Sequence, residues 1–475
     1  MTTGQPDYAT GVEAPAGALP WRIELRATVK LALPIALTQL GQVAMMTSDL
    51  MLIGRLGDVA IAGAALAHLI LFVGFVFGMG VMSAVSPLAA QAYGAREPRM
   101  VRRALRVGLW TALMIGAPMT VAMLFGEDFL LALGQDPQAA RLAGQYLTGL
   151  CWCLVPGWWF IALRGFMGAV NRPEPALWIT MAAVPANLLF AYALIYGEFG
   201  MPRFEMLGAG IATTIVNIGM CAAALWVAYT QRPFRKYQVL GRFWRMDWPL
   251  TGKLLTIGGP IAGAFLLEYG LFAAAAILMG WIGTIALAAH QIALQVASIM
   301  FMAPFGISMA ATVRVGHAVG RRDSVETRRA GFAAIALGAA FMAAMVVLIL
   351  ATRHVLPLAF LDGGHAEADA TLALAATLLA AGSTFFIADG VQTIAAGALR
   401  GLNDTRVPLL FATLSFWIIG FGTSYTLAFP AGLGAIGIWV GFTVGLAFYA
   451  VLLVWRFNAL TARGYMPDAP GHAHG

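Results

Sequence analysis

Three carboxylic acids sit where a carboxylic acid is costly to keep. Asp49, Glu268 and Asp389 each fall inside an apolar run long enough to cross a bilayer, whereas the other acids of the chain fall in tails, loops or helix ends. A span needs about 20 apolar residues, and a carboxylate at its middle costs on the order of 2.5–3.5 kcal/mol on insertion scales. Glu268 is the clearest case: it lies midway along Leu254–Gly283, with no basic residue between Lys253 and Arg314. Acids in such positions mark ion or substrate pathways. On this reading no base lies at similar depth in any helix, which argues against a structural ion pair. The bland alternative is a protonated acid that only hydrogen-bonds a neighbouring helix.

The chemistry such acids suit is cation coupling. A charged carboxylate out of water is unfavourable until a proton, Na+ or a cationic ligand compensates it, and hard cations prefer oxygen ligands. Competition between ion and cationic substrate for the same acids gives antiport without a further part. Polar neighbours are present. Gln39 and Gln42 precede Asp49 on roughly one helical face. Asn187, Thr213, Thr214 and Asn217 belong to the fifth and sixth apolar segments, His290, Gln291 and Gln295 to the eighth, and Gln392 lies within a turn of Asp389. Each serves either as an interhelical hydrogen bond or as a ligand. His290 either relays protons or holds one tautomer against a neighbour. Phe265, Tyr269 and Phe272 flank Glu268 at helical spacing and are the candidate walls of a pocket, since an aromatic face beside an acid receives organic cations. Gln42, His290, Gln291, Phe385 and Gln392 complete the candidate substrate-binding set, in a chain whose abundant Met residues suit adaptable apolar recognition.

The elements that must position these residues are membrane helices. The chain is 60% hydrophobic and 11% charged, against about 25% charged for soluble domains. Twelve apolar segments stand near 28–53, 60–88, 104–125, 143–166, 175–197, 207–229, 251–278, 284–312, 330–351, 370–398, 407–429 and 433–456. With both tails on one side, 25 of the 29 Lys and Arg residues fall on that side and only Arg55, Arg141, Arg203 and Arg353 on the other. That asymmetry places both termini in the cytoplasm. The halves also repeat. Pro34, Gly54, Gly57, Gly94 and Leu207-Gly208-Ala209 match Pro260, Gly280, Gly283, Gly320 and Leu433-Gly434-Ala435 at a constant offset of 226. Leu163-Arg164-Gly165 matches Leu399-Arg400-Gly401 at 236. Six helices per repeat bring both copies in from the same side, with substrate paths between them.

The expected fold is therefore an all-α polytopic membrane protein with twelve transmembrane helices in two pseudo-symmetric six-helix bundles. Residues 28–230 form the amino-terminal lobe, 231–250 a cytoplasmic linker and 251–457 the carboxyl-terminal lobe. The stretches 1–27 and 458–475 are flexible tails, the first without the apolar core of a signal peptide. Cys151, Cys153 and Cys221 read as small apolar residues, and His472-Ala-His474 as part of a tail rather than a metal site. No P-loop, His-Glu-x-x-His or Gly-x-Ser-x-Gly motif is present, which excludes the usual ATPase, zinc-peptidase and serine-hydrolase chemistries. No cofactor is expected beyond a coupling ion, no nucleic-acid partner, and no metal beyond Na+ at Glu268 and Asp389. Small amphipathic or cationic substrates and membrane lipids are the expected partners of a monomer in the cytoplasmic (inner) membrane.

Five runs in order carry a resemblance. They are LALPIALTQLGQVAMMTSDLMLIGRLG at 31–57, PLAAQAYGA at 87–95, GGPIA with Leu267-Glu268 and AAHQIAL between 258 and 294, MAPFGISMAATVRVGHAVG at 302–320, and AAGALRGLNDTRVP at 395–408. In these the sequence resembles the multidrug and toxic compound extrusion (MATE) family, in its NorM-like bacterial branch. The resemblance implies two six-helix bundles around a cleft open to one side, and exchange of organic cations and other drugs for Na+ or H+. It implies cation-binding roles for Glu268 and Asp389 in the second lobe and for Asp49 with Asn187 in the first. Phe385 stands where some sodium-using members carry a tyrosine, so one oxygen ligand is missing. The residues alone yield an ion-coupled carrier; drug export comes from the resemblance. A flippase or exporter of a lipid-linked or amphipathic metabolite is the alternative, and bases inside the helices would favour it. An ion channel would lack alternating lobes, and a membrane enzyme would need a polar catalytic loop.

Overall fold

The computed structural model describes residues 20–361 and 366–467. Most of the expected amino-terminal tail, and the end of the chain with His472 and His474, lie outside the described residues. Lipid offers no hydrogen bonds, so a spanning backbone must satisfy itself, and long apolar runs become helices. Among the described residues eleven helices are long and apolar enough to span, and twelve when one bent pair counts as a single span. In chain order they are α1 (Pro20–Gly54), α2 (Asp58–Gly94), α3 (Pro98–Leu124), α4 (Pro137–Ala169), α5 (Glu174–Tyr196) and α6 (Glu205–Thr230). The second half supplies α7 (Trp248–Ile282), α8 (Thr284–Gly320), α9 (Ser324–Thr352), α10 (Ala366–Ala381 with Ser383–Gly401), α11 (Arg406–Ala428) and α12 (Gly434–Ala462). No strand occurs among the described residues.

Several helices run further than their apolar cores. α1 begins at Pro20 rather than at 28, and α12 continues to Ala462 rather than ending at 456, so parts of the expected tails are helical. The tenth span is bent by 52° between Ala381 and Ser383. Gly382-Ser383 is the kind of pair at which helices kink, and the bare Cα of Gly382 lets the Trp439 indole pack against the backbone there. α11 contains a π-helical stretch, Thr413–Phe421. Side chains of Asp136, Asp247 and Asp323 cap the starts of α4, α7 and α9 by accepting from backbone N–H groups of the first turn. The α1–α2 and α7–α8 turns use glycine where only glycine fits: Gly57 has φ 111° and Gly283 φ 153°, and these two are repeat equivalents.

Helices α1 to α6 pack with one another, α7 to α12 likewise, and α1 and α2 meet α7 and α8 across the middle. The two halves meet most tightly toward the ends that carry the basic loops. There a Cβ added to Gly80 would collide with Ala262, one on Gly94 with the His317 carbonyl, and one on Gly320 with the Gln91 carbonyl. Gln91 is the polar centre of this seam. Its Nε2 donates to the Gly401 carbonyl at 2.8 Å, and its Oε1 accepts from Asn403 Nδ2 at 2.9 Å. Arg314 pairs with Glu24 at 2.6 Å across the same seam.

Candidate functional site

Glu268 reaches the interior from the middle of α7, and Asp389 and Gln392 from the second segment of α10. Gln392 Nε2 lies 2.9 Å from Glu268 Oε1, 3.0 Å from Asp389 Oδ1 and 3.0 Å from Thr393 Oγ1. One amide, with two hydrogens, thus faces two carboxyl groups and a hydroxyl. A proton or a small cation would relieve that shortage of positive charge.

Two cavities meet at Glu268. The larger, about 380 Å³, is lined by Glu268 and Asp389 together with Phe265, Tyr269, Phe272 and Phe385, and by residues of α2 and α8. The Tyr269 ring packs at a tilt against that of Phe72 of α2, with centroids 4.7 Å apart, so both lobes contribute to its wall. The smaller is a cleft of about 40 Å³, enough for water, that runs from Glu268 past Gln392, Ala396 and Arg400 to Asp404. At its far end Asp404 pairs with Arg456 at 2.8 Å.

The first lobe gathers a separate acid site. Asp49 is buried, 4% exposed. Asn187 Nδ2 donates to its Oδ1 at 2.6 Å and Thr213 Oγ1 to its Oδ2 at 2.8 Å. Each oxygen of this carboxylate therefore has its own donor.

Of the expected substrate residues, Phe265, Tyr269, Phe272 and Phe385 line the large cavity with the two acids. Gln392 lines the cleft. Gln291 is exposed on α8, on the helical face that carries Ser298 and Met302 into the cavity. Gln42 and His290 do not line either cavity. Gln42 Oε1 accepts from Arg164 Nη1 at 3.3 Å, and Gln39 Oε1 accepts from the same nitrogen. His290 is fully buried, and its Nδ1 accepts from Trp439 Nε1 at 3.2 Å.

One expectation is corrected. Bases do lie inside the helices: Arg164 and Arg400 are 6% and 5% exposed in α4 and α10. The sequence counted them with the loops because Arg164 falls at the edge of its apolar segment and Arg400 just past the end of its own, whereas the helices run on to Ala169 and Gly401. Arg400 shares the cleft with Glu268, stands 5.6 Å over the Phe265 ring and reaches Ser308 Oγ at 3.5 Å. The signal that marks both arginines is the repeated Leu-Arg-Gly of the two halves.

Twelve spans in two repeated lobes, with an acid-bearing cavity between them, are the architecture of a multi-pass membrane transporter. The MatE family model matches residues 34–193 and 260–426, and the chain belongs to that family. It is 61% identical over 461 residues, 97% of each chain, to a probable multidrug resistance protein NorM of Rhodopseudomonas palustris. It is 56% identical to the protein of the same description from Bradyrhizobium diazoefficiens, over 92% of this chain and 93% of that one. The crystal structure of the eukaryotic MATE transporter AtDTX14 superposes with a TM-score of 0.82 at 20% identity, covering 94% of this chain and 98% of the other, which is a likeness of fold.

Proposed function

We propose that this protein is a secondary active multidrug exporter that exchanges organic cations and other amphipathic compounds for Na+ or H+ by alternating access. The observation that carries the proposal is the aromatic cavity of about 380 Å³ with Glu268 and Asp389 in its wall. Aromatic faces and Met hold flat apolar cations without demanding one shape. The two carboxyl groups add the charge such ligands need. The relatives described as multidrug resistance proteins support the same reading.

In this mechanism Glu268 and Asp389 bind the coupling ion in the second lobe. The ion supplies the positive charge that Gln392 alone does not, and a cationic substrate displaces it. Asp49 and Asn187 form a first-lobe site. Residues 28–230 and 251–457 move as the two lobes, joined by 231–250. The protein acts as a monomer in the cytoplasmic membrane with both termini inside, and no cofactor beyond the ion takes part. The buried arginines Arg164 and Arg400 do not turn the reading to a flippase, because neither lines the large cavity.

The test is dye efflux in everted vesicles with Na+ and H+ gradients imposed separately, for the wild type and Glu268→Gln. Efflux driven by one gradient and lost in the variant establishes antiport and identifies the ion. Efflux that persists in Glu268→Gln removes the acid from the mechanism.

A further inference from the structure

We propose that the face bearing the basic loops carries a binding site for the phosphate of an anionic lipid, between the start of α3 and the turn that leads into α7. Arg99, Arg102, Arg103 and Arg106 recur at three- and four-residue steps, so one face of the first turns of α3 is arginine throughout. Arg242 and Arg245 of the connection lie opposite, and the six line an open pocket of about 580 Å³ together with the start of α7. The connection is fixed in place: Trp110 Nε1 donates to the Phe243 carbonyl at 2.8 Å, and the two rings stack at 5.3 Å.

The positive charge of this cavity is not answered from within. Its one carboxylate, Asp247, is taken by Arg103 at 2.5 Å and also caps α7 through the Leu250 N–H. Among the described residues none of the other five arginines pairs with a carboxylate. Arg106 is 7% exposed; its Nη1 donates to the Arg242 carbonyl at 3.2 Å, but its Nε has no partner. The buried Nε of Arg102 has none either. A buried guanidinium N–H without an acceptor is costly, and a phosphate answers it in both charge and fork geometry. The amino end of α7 aims its dipole at the same place.

The surroundings select a lipid over free phosphate. Trp244 and Trp248 are exposed beside the cavity, as interfacial anchors are. Past Arg106 the same helix exposes Leu113 and Met114, and α7 exposes Leu255, which gives acyl chains a strip to lie on. Basic pockets at the ends of spanning helices on the cytoplasmic side hold anionic headgroups. A lipid seated here touches α3 of one lobe and the start of α7, the helix that carries Glu268, of the other.

The experiment titrates the purified full-length protein with dioleoylphosphatidylglycerol and with dioleoylphosphatidylcholine, read by native mass spectrometry. The wild type is expected to hold the anionic lipid roughly tenfold more tightly, and Arg102→Gln with Arg106→Gln to lose that preference. Arg235→Gln, on a separate basic surface, is expected to keep it. Should loss of Arg102 and Arg106 prevent folding, Arg99→Gln with Arg245→Gln, both exposed, makes the same test. Equal binding of the two lipids, or a preference retained in the folded variant, overturns the proposal. Displacement of the lipid by millimolar inorganic phosphate reassigns the site to a soluble anion and also overturns it.

Discussion

The two lobes share a scaffold but treat their acids differently. In the first, each oxygen of Asp49 has its own donor, Asn187 for one and Thr213 for the other. In the second, Glu268 and Asp389 divide one amide between them. The repeat offset makes the contrast sharper, because Gln42 stands at the position equivalent to Glu268 and Gln39 at that equivalent to Phe265. The matched arginines follow suit. Arg164 is held by the two glutamine oxygens, whereas Arg400 stands over the ring of Phe265. Around its acid the first lobe has thus satisfied its polar groups internally, and the second is left in need of a cation. A buried polar network that is complete rigidifies, and one that is incomplete responds to a ligand.

The largest expected effect separates the two acids. Glu268→Gln should lower gradient-driven dye efflux by roughly ten- to a hundredfold, since a charge-assisted bond contributes about 1.5–3 kcal/mol. Asp49→Asn, whose neighbours already supply its hydrogen bonds, should lower it only about threefold. Initial efflux rates at matched expression decide the matter. The reverse order would move coupling to the first lobe.

The next effect tests whether the lobes part along their seam. Gly94→Val adds atoms where the His317 backbone already touches α2. Overpacking costs about 1–3 kcal/mol, which corresponds to a population shift of roughly 5- to 150-fold. Spin labels on the basic-loop ends of α2 and α8 should report longer distances in this variant than in the wild type. Unchanged distances would mean that the seam is not where the lobes separate.

A smaller effect compares the two arginines. Arg164→Met strands the Gln39 and Gln42 oxygens and should destabilise the protein by about 1–3 kcal/mol. Arg400→Met removes a cation from an aromatic face, worth about 0.5–2 kcal/mol. It should disturb substrate affinity more than thermal stability, because Phe265 lines the large cavity as well. Thermal midpoints beside efflux KM values distinguish the two outcomes.

Much of this was legible in the sequence, for definite reasons. Apolar length gives the spans, and an acid inside an apolar run stands out by itself. The constant offset of 226 anticipates that Gly57 and Gly283 make equivalent turns. What stayed hidden depends on neighbours distant in the chain. Nothing local ties Asp49 to Asn187 and Thr213, or Gln42 to Arg164. Helix ends were read too short, which left Arg400 in a loop, Arg164 at the edge of one, and part of the first helix in a tail. The bend at Gly382 needed Trp439, brought from α12, to show why the backbone is bare there.

The smallest expected effect concerns His290, which the sequence left between proton relay and packing. Its Nδ1 accepts from Trp439 Nε1 at 3.2 Å, its Nε2 has no partner among the described residues, and Phe442 covers it at 6.3 Å between ring centroids. A relay needs a proton donor at one ring nitrogen and an acceptor at the other, and this ring has one indole donor and an aromatic wall. Trp439→Phe removes that donor while keeping most of the ring volume, so it should cost about 1 kcal/mol of stability. Efflux under either gradient should stay within roughly twofold of wild type, as the neutral bond contributes to folding rather than to coupling. His290→Gln should behave alike, with a retained preference for the same driving ion. If instead either variant lost proton-driven efflux while keeping its thermal midpoint, the second lobe would hold a proton path through α8, and its difference from the first lobe would extend beyond the Glu268–Gln392–Asp389 cluster.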